Sequence, residues 1–143
     1  MCSASGKVIL EEVKRCLGLS SAVQKTISFS VTLKGKGLHA GNVSSLTFSP
    51  APQGTGVLFR RVDLNPVVEI PAHVDFVKET MRSTDLGAKG AVIKTVEHLL
   101  SAVYVLGITN LYIDISGDEI PILDGSSLPF FQALENAQVV SQN

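Results

Sequence analysis

The sequence predicts an α+β fold, a two-layer sandwich in which a mixed or antiparallel sheet is covered by two helices. Several short stretches alternate apolar and polar residues, which is the period of half-buried strands. Two later segments repeat apolar residues every three or four positions, which is the period of amphipathic helices. With 143 residues, of which 45% are hydrophobic, the chain is long enough for one domain with a buried core and too short for two ordinary ones.

The first 23 residues are predicted to be an extension that precedes the domain. Residues 7–17, KVILEEVKRCL, separate apolar from charged side chains at helical spacing, which predicts a short amphipathic helix. The polar pair Ser20 and Ser21 then predicts a linker. Cys2 and Cys16 both fall in this extension without a partner at metal-ligand spacing, so we expect free thiols and no disulfide framework.

Strands are predicted from residue 26 onward. Residues 26–33 alternate strictly and predict one half-buried strand. Shorter segments bounded by turn residues predict further strands, at residues 45–49, 57–60, 67–70, 91–93 and 111–115.

The turn before the second of these strands, GKGLHAG at residues 35–41, superficially fits the Gly-x-Gly-x-x-Ala form of a dinucleotide-binding loop. That fingerprint requires a helix directly after it, whereas residues 45–49 alternate as a strand. A hairpin turn is the better interpretation, because glycines supply the positive φ angles that such turns need. We expect His39 in this turn to brace the backbone and not to bind a metal.

Two helices are predicted in the second half of the chain. In TVEHLLSAVYVLGITN, residues 95–110, the apolar residues recur at helical spacing: Val96, Leu99, Leu100, Val103 and Leu106. The second helix is predicted to begin after Ser127, a candidate N-cap, with Pro129 in its first turn. Its apolar face would consist of Phe130, Leu134 and Ala137.

Glu97 and His98 lie side by side at the first turn of the first predicted helix. A rotation of about 100° per residue places both away from the apolar stripe. A solvated polar face explains them, since a carboxylate there interacts favourably with the helix dipole. A catalytic pair is the alternative, because the dipole keeps the imidazole neutral for a metal and Glu97 could deprotonate a metal-bound water. The metal would need other ligands, since catalytic zinc takes three and no two of the three histidines have helical zinc-motif spacing.

Composition excludes several classes of function. The net charge is −1 and the basic residues are scattered, so we expect no nucleic-acid binding. No apolar run approaches the ~18 residues of a membrane span, and the N-terminus lacks the apolar centre of a secretory signal. The sequence therefore predicts a soluble, cytoplasmic protein.

Five segments occur in the same order as in a known enzyme family: GKGLHAG, FRRVDLNPVVEIPAHV, ETMRST, TVEHLLSAVYVLGITN and DEIPILDGSSLPF. From about residue 24 to about residue 137, the chain resembles the UDP-3-O-acyl-N-acetylglucosamine deacetylases, zinc enzymes of bacterial lipid A synthesis. The resemblance implies two similar α+β domains with the active site between them. It identifies residues 24–143 with the first domain, including a small β insert beside an acyl-chain passage, and leaves the second domain absent.

The resemblance also implies roles for individual residues. His98 matches the zinc ligand of the first domain, and Glu97 matches the general base that activates the zinc-bound water. Met81, in ETMRST, matches a position that touches substrate, although a buried packing methionine is an equal alternative. Asp124 is expected to organise the DGSS turn and not to be catalytic.

The chain departs from the family pattern in ways that bear on its activity. The family's remaining zinc ligands, a His and an Asp, and its general-acid His have no counterpart here, so Zn²⁺ would need ligands from outside this chain. Asp85 replaces a residue that is usually neutral, and an inward carboxylate would disfavour an apolar acyl chain. We therefore expect an amide hydrolase half that acts on UDP-3-O-acyl-N-acetylglucosamine only with a second domain or partner chain. The alternative is a truncated, non-catalytic paralogue that serves as a binding or assembly module.

Overall fold

A computed structural model of the chain describes residues 23–142. The predicted helix at residues 7–17, the Ser20–Ser21 linker and both cysteines lie outside the described residues. The observed α+β architecture, with two helices and mixed and antiparallel sheets, confirms the predicted fold class.

Ten strands and two helices make up the described part of the chain. The helices are α1, Glu97–Val105, and α2, Leu128–Asn136, and a short 3-10 turn lies at Val74–Phe76. The strands are β1 Gln24–Ile27, β2 Val31–Lys36, β3 Val43–Pro50, β4 Val57–Arg61, β5 Val68–Pro71, β6 Val77–Glu79, β7 Asp85–Ala88, β8 Ala91–Ile93, β9 Leu111–Ser116 and β10 Val139–Gln142.

The main sheet has five strands in the order β2-β3-β9-β4-β5. It is mixed, because β4 and β9 run parallel while the other neighbours are antiparallel. Alternate residues of its central strands are buried on one face, among them Phe48, Phe59 and Ile113. These side chains form one hydrophobic cluster with Leu99 of α1 and Phe130 of α2, so the sheet and the two helices share a core.

Two small sheets complete the fold. Strands β1 and β10 pair antiparallel, and β6, β7 and β8 form a three-stranded antiparallel sheet. The latter is the small insert that the family resemblance implies. The buried Arg61 at the end of β4 fixes this small sheet to the main sheet, because its Nη1 donates a hydrogen bond of 2.8 Å to the carbonyl of Val92 in β8.

The prediction of one continuous strand at residues 26–33 is wrong. Ile27 ends β1, which pairs with β10, and Val31 begins β2, which pairs with β3 in the main sheet. Between them, the amides of Ser28 and Phe29 donate to the carbonyl of Ala137 at 3.0 and 3.1 Å, and the Phe29 side chain is exposed. The Ala137 carbonyl at the end of α2 therefore accepts the two amides that a continuous strand would have donated to a neighbouring strand.

The predicted hairpin turn at residues 35–41 is confirmed. Strands β2 and β3 pair antiparallel on either side of it, and the amide of Gly37 donates to the carbonyl of Asn42 at 3.0 Å. Gly41 has a φ of 68°, which a glycine adopts without steric cost. Strand β3 takes the place of the helix that a dinucleotide loop requires.

Both predicted helices are present, and their apolar faces are buried as expected. The N-cap prediction for Ser127 is only half right. Ser127 occupies the N-cap position of α2, but its side chain makes no capping hydrogen bond. Instead, the amide of Leu128 donates to Oγ of Ser126 at 3.2 Å, and Oγ of Ser127 contacts Oγ of Ser101 in α1 at 2.8 Å. The Ser127 hydroxyl therefore contacts α1 and does not cap α2.

Candidate active site

The first residue of α1, Glu97, is held by the segment that leads into β7. The amide of Thr84 donates to Glu97 Oε2 at 3.1 Å, and the carbonyl of Thr84 accepts from the amide of Val96 at 3.2 Å. This pair of hydrogen bonds ties the insert to the start of α1. It is the contact that brings the ETMRST and TVEHLL segments of the sequence together.

An open depression of about 280 Å³ lies at this contact. It is lined by Glu97 together with five consecutive residues of the β6–β7 connection: Thr80, Met81, Arg82, Ser83 and Thr84. Only Met81 among these six has an apolar side chain. The walls therefore combine a carboxylate, a guanidinium and hydroxyl groups within reach of one bound molecule.

His98 follows Glu97 on the first turn of α1 but does not line the depression among the described residues. Both side chains are half-buried, which confirms the prediction that neither belongs to the hydrophobic core. The backbone carbonyls of both residues accept a hydrogen bond from Oγ of Ser101, at 2.9 Å from Glu97 and 3.1 Å from His98. These hydrogen bonds use backbone carbonyl groups and therefore involve neither the His98 imidazole nor the Glu97 carboxylate.

Met81 stands at the mouth of the depression with 87% of its surface exposed. The alternative prediction of a buried packing methionine is therefore wrong. The amides of Thr80 and Met81 donate to Glu79 Oε1 at 2.8 and 3.0 Å, and these bonds lower the pKa of the Glu79 carboxyl below its ordinary value. The ionised Glu79 thus orders the turn that presents Met81. Contact with substrate remains a prediction for this side chain.

Asp85 is buried in β7, but it is not among the described residues that line the depression. Its Oδ1 accepts a hydrogen bond of 2.6 Å from Oγ of Ser83, which does line it. The register of the β7–β8 hairpin pairs Leu86 with Ile93, which places Asp85 next to the cationic Lys94. Any effect of this carboxylate on an apolar ligand would therefore act through Ser83.

The side chains between residues 23 and 142 do not form a complete zinc site. No group of three or more His, Cys, Asp or Glu residues in this range is arranged to hold a metal ion. A catalytic zinc takes three protein ligands with an open fourth position. The described residues therefore supply no complete set of zinc ligands, and the role of His98 as one ligand stays a prediction.

Sequence reasoning missed two residues that shape this region. Thr84 acts through its backbone amide and carbonyl, which any residue except proline could supply, so the sequence carries no signal for it. Glu119 is 3% exposed, and its carboxylate accepts the amides of His39 and Ala40 at 2.9 and 3.1 Å. The predicted bracing of the hairpin thus comes from Glu119 and from the backbone of His39.

Residues 24–143 match the family model described as UDP-3-O-acyl N-acetylglycosamine deacetylase (LpxC). The chain belongs to the LpxC family. The match includes every element around the depression, from the β2–β3 hairpin through the insert to α2. The family resemblance predicted from the five sequence segments is confirmed.

Similar curated LpxC proteins are named UDP-3-O-acyl-N-acetylglucosamine deacetylase. The chain is 49% identical to that of Xylella fastidiosa (strain Temecula1) and 48% identical to that of Xanthomonas campestris pv. campestris (strain B100), over 120 residues in each case. It is 50% identical to that of Saccharophagus degradans over 120 residues. Each alignment covers 84% of this chain and 40% of the relative, so the chain spans about two-fifths of their length.

Within the part of this LpxC-family chain that the structure describes, no helix has both the length and the apolar character needed to cross a membrane. The two helices each contain nine residues.

Proposed function

We propose that this chain is the first domain of a zinc-dependent deacetylase that hydrolyses the N-acetyl group of UDP-3-O-acyl-N-acetylglucosamine in lipid A synthesis. The observation that carries the proposal is the junction of the insert with α1, where Glu97 lines a depression and His98 lies beside it. The named activity of relatives at 47–50% identity supplies the reaction and substrate class.

Glu97 is suited to act as the general base of this reaction. The Thr84 amide fixes Oε2, and no described residue donates a hydrogen bond to Oε1. One oxygen can therefore hold the orientation of the carboxylate while the other takes a proton from a water molecule in the depression. The first-turn position adds a favourable interaction between the helix dipole and the negative charge that the Glu97 carboxylate carries before it takes the proton.

His98 would contribute one ligand to the zinc ion, and the remaining ligands would come from outside this chain. When bound, zinc in such sites acidifies a water molecule and polarises a carbonyl group. Because His98 is the next residue on the same helical turn, α1 places the backbone positions of both residues side by side. With one ligand of three, we expect the isolated chain to bind zinc weakly and to be inactive.

The helix layer is the surface that we propose to face the second domain or a partner chain. Three large apolar side chains on it are exposed, Tyr104 at 85%, Val105 at 69% and Leu128 at 54%. The contact between Ser101 and Ser127 joins the two helices where Leu128 begins α2, and Tyr104 and Val105 lie one turn beyond Ser101. These side chains therefore share one side of the molecule with His98.

A non-catalytic binding or assembly module is the second candidate function. Two observations favour it: the incomplete ligand set among the described residues and the buried Asp85 carboxylate behind Ser83. In that case, the depression would bind a ligand or the helix layer would bind a partner without turnover. Retention of Glu97 and His98 in their family positions favours the deacetylase.

A chimera tests the two candidates. Residues 24–143 of this chain would replace the 120 residues of the Xylella fastidiosa deacetylase that they match, and deacetylation of UDP-3-O-acyl-N-acetylglucosamine would be measured. We expect an active chimera, and a fall in kcat of roughly 10²–10⁴-fold for Glu97→Gln, which is the usual contribution of a general base. The 143-residue chain alone should show no turnover.

Two matched measurements complete this experiment. Glu69→Gln makes the same chemical change on an exposed position of β5 in the main sheet and should leave kcat unchanged. His98→Ala should lower the zinc content of the purified chimera. A folded chimera that binds zinc but does not turn over substrate contradicts the deacetylase proposal and favours the binding module. Turnover by the isolated chain that disappears in Glu97→Gln contradicts the proposed need for further ligands.

A further inference from the structure

A buried carboxylate joins the hairpin turn to the segment that enters α1. Oε1 of Glu119 accepts the amide of His39 at 2.9 Å and the hydroxyl of Thr95 at 3.2 Å, and Oε2 accepts the amide of Ala40 at 3.1 Å. Its backbone carbonyl accepts Oγ of Ser44 at 2.7 Å. Every oxygen of this residue is therefore used in the interior of the protein.

Thr95, the α1-side partner of Glu119, has a strained backbone. Its φ is 62°, and the residue is 2% exposed. Positive φ is an outlier for a β-branched residue and persists only where the surrounding structure enforces it. The next residue, Val96, donates its amide to Thr84, and Glu97 follows. The conformation of Thr95 thus sets the direction in which the chain enters α1.

The hairpin packs closely against the Glu119 carboxylate at Gly37. A Cβ atom on Gly37 would lie 2.7 Å from the carboxyl carbon of Glu119 and closer still to Oε2. Burial acts to raise the pKa of this carboxyl, but the hydrogen bonds from His39, Ala40 and Thr95 together outweigh it and leave the pKa below its ordinary value. A charged, fully hydrogen-bonded carboxylate therefore occupies this site at neutral pH.

We propose that Glu119 is a positioning residue, which through Thr95 fixes the entry of the chain into α1 and hence the place of the Glu97 carboxylate against Thr84. Any effect of Glu119 on catalysis rests on the proposed function, whereas its structural coupling to Glu97 through Thr95 does not. The hydrogen-bond partners of the Glu119 carboxylate are His39, Ala40 and Thr95, and none of them is Glu97 or another residue that lines the depression. A residue that only stabilised the hairpin would leave the hydrogen bond between Thr84 and Glu97 intact.

The amide proton of Thr84 reports this hydrogen bond directly in the 143-residue chain. Thr95→Val exchanges the hydroxyl for a methyl group of similar size, and Glu119→Gln removes one acceptor oxygen. For both variants, we expect hydrogen-exchange protection at Thr84 to fall by about threefold to tenfold, the range for one lost hydrogen bond. Thr95→Ser keeps the hydroxyl and should restore most of the protection.

Ile27→Val is the control for general loss of stability. Ile27 is buried in β1, where it pairs with Val139 of β10 and makes no contact with Thr84 or Glu97 through the hydrogen bonds described above. Each variant would be measured at the same interval below its own Tm. Equal losses at Thr84 in Ile27→Val and Thr95→Val would overturn the proposal. If Glu119→Gln does not fold, the comparison of Thr95→Val with Thr95→Ser still tests the proposal.

The result is independent of the deacetylase assay, because the exchange measurement contains neither substrate nor zinc. Lost protection in Thr95→Val with an inactive chimera would refute the proposed function and keep the coupling. Unchanged protection in Thr95→Val with an active chimera would refute the coupling and keep the proposed function.

Discussion

Thr84 and Glu97 are joined by a hydrogen bond of 3.1 Å from the backbone amide of Thr84 to Oε2 of the carboxylate. The carbonyl of Thr84 also accepts the amide of Val96, which precedes α1 and offers no side-chain cap of its own. One residue of the insert therefore satisfies a donor at the helix start and orients the carboxylate that follows it. Oε2 of Glu97 therefore has a structural role, and Oε1 is left for the proposed proton transfer.

Glu97→Gln should change the free energy of unfolding by less than about 1 kcal/mol. Glutamine keeps an oxygen that can accept the Thr84 amide and loses only the interaction of a charge with the helix dipole. Glu97→Ala should cost about 1 kcal/mol or more, because the hydrogen bond disappears. Urea unfolding of both variants measures the difference. Equal costs would show that the charge, and not the hydrogen bond, stabilises the start of α1.

Ser126→Ala should destabilise the protein more than Ser127→Ala. The hydroxyl of Ser126 accepts the amide of Leu128 and donates to Oδ1 of Asp124 at 2.8 Å, whereas Ser127 contacts only the exposed Ser101 hydroxyl. We expect about 1 kcal/mol for Ser126→Ala, the usual cost of a lost cap, and a few tenths for Ser127→Ala. Thermal unfolding ranks the two variants. A larger loss of stability for Ser127→Ala would show that Ser127 is the functional cap.

Gly37→Ala should destabilise the protein by about 1–3 kcal/mol, the usual cost of forcing an extra carbon into a packed site. The added methyl would meet the buried Glu119 carboxylate, which three hydrogen bonds hold in place. Gly87→Ala is the comparison, because its methyl would meet Cγ of the exposed Lys78 side chain at 2.8 Å, which can move, and the Ala91 carbonyl oxygen at 3.2 Å, which needs only a small shift. Denaturant midpoints for the two variants should differ clearly, and similar midpoints would argue against a rigid Glu119.

Stability should fall in acid. Hydrogen bonds from Arg61 and Lys94 lower the pKa values of Asp63 and Asp118, and the pKa of Glu119 is also lowered, since its hydrogen bonds outweigh the opposing effect of burial. A carboxyl with a folded pKa below its unfolded value, roughly 4 to 4.5, stabilises the fold above that value. That stabilisation is lost as the pH drops through the folded pKa. The urea midpoint of unfolding should therefore change little with pH near pH 7 and should decline below about pH 5.

Glu119→Gln tests the most buried of these three carboxyl groups. Its free energy of unfolding should be lower than that of the wild type at neutral pH and should decline less steeply in acid, because one titrating group is gone. Ile27→Val removes a methyl group and no charge, so its profile should run parallel to the wild type. A Glu119→Gln profile that is also parallel would show that this carboxyl titrates alike in the folded and unfolded states.

The helix layer should mediate self-association of the isolated chain at high concentration. Tyr104, Val105 and Leu128 expose large apolar side chains there, and such patches favour association in water. Tyr104→Lys with Val105→Lys should shift sedimentation towards the monomer. Val74→Lys is the control, because it makes the same change at a 75% exposed residue of the insert region. A wild-type chain that stays monomeric at high concentration would count against this surface as an interface.

The local sequence determined most elements of this protein, because each depends on residues that are close in the chain. Helical spacing predicted α1 and α2, alternation predicted strands of the main sheet, and the glycines of residues 35–41 predicted the hairpin. The five ordered segments predicted the family, which the match to residues 24–143 confirms. The outward position of Glu97 and His98 also followed from helical rotation alone.

Tertiary structure decided the features that depend on groups far apart in the chain. The alternation at residues 26–33 continues through Phe29, but the Ala137 carbonyl takes the backbone donors there and divides the strand. The backbone of Thr84 orients Glu97 from thirteen residues away, and Glu119 reaches across some eighty residues to the hairpin. Alternation and spacing report only which face of an element is apolar. Partners for backbone amides and buried carboxylates are set by packing, since every such group must find a hydrogen bond wherever the fold brings one.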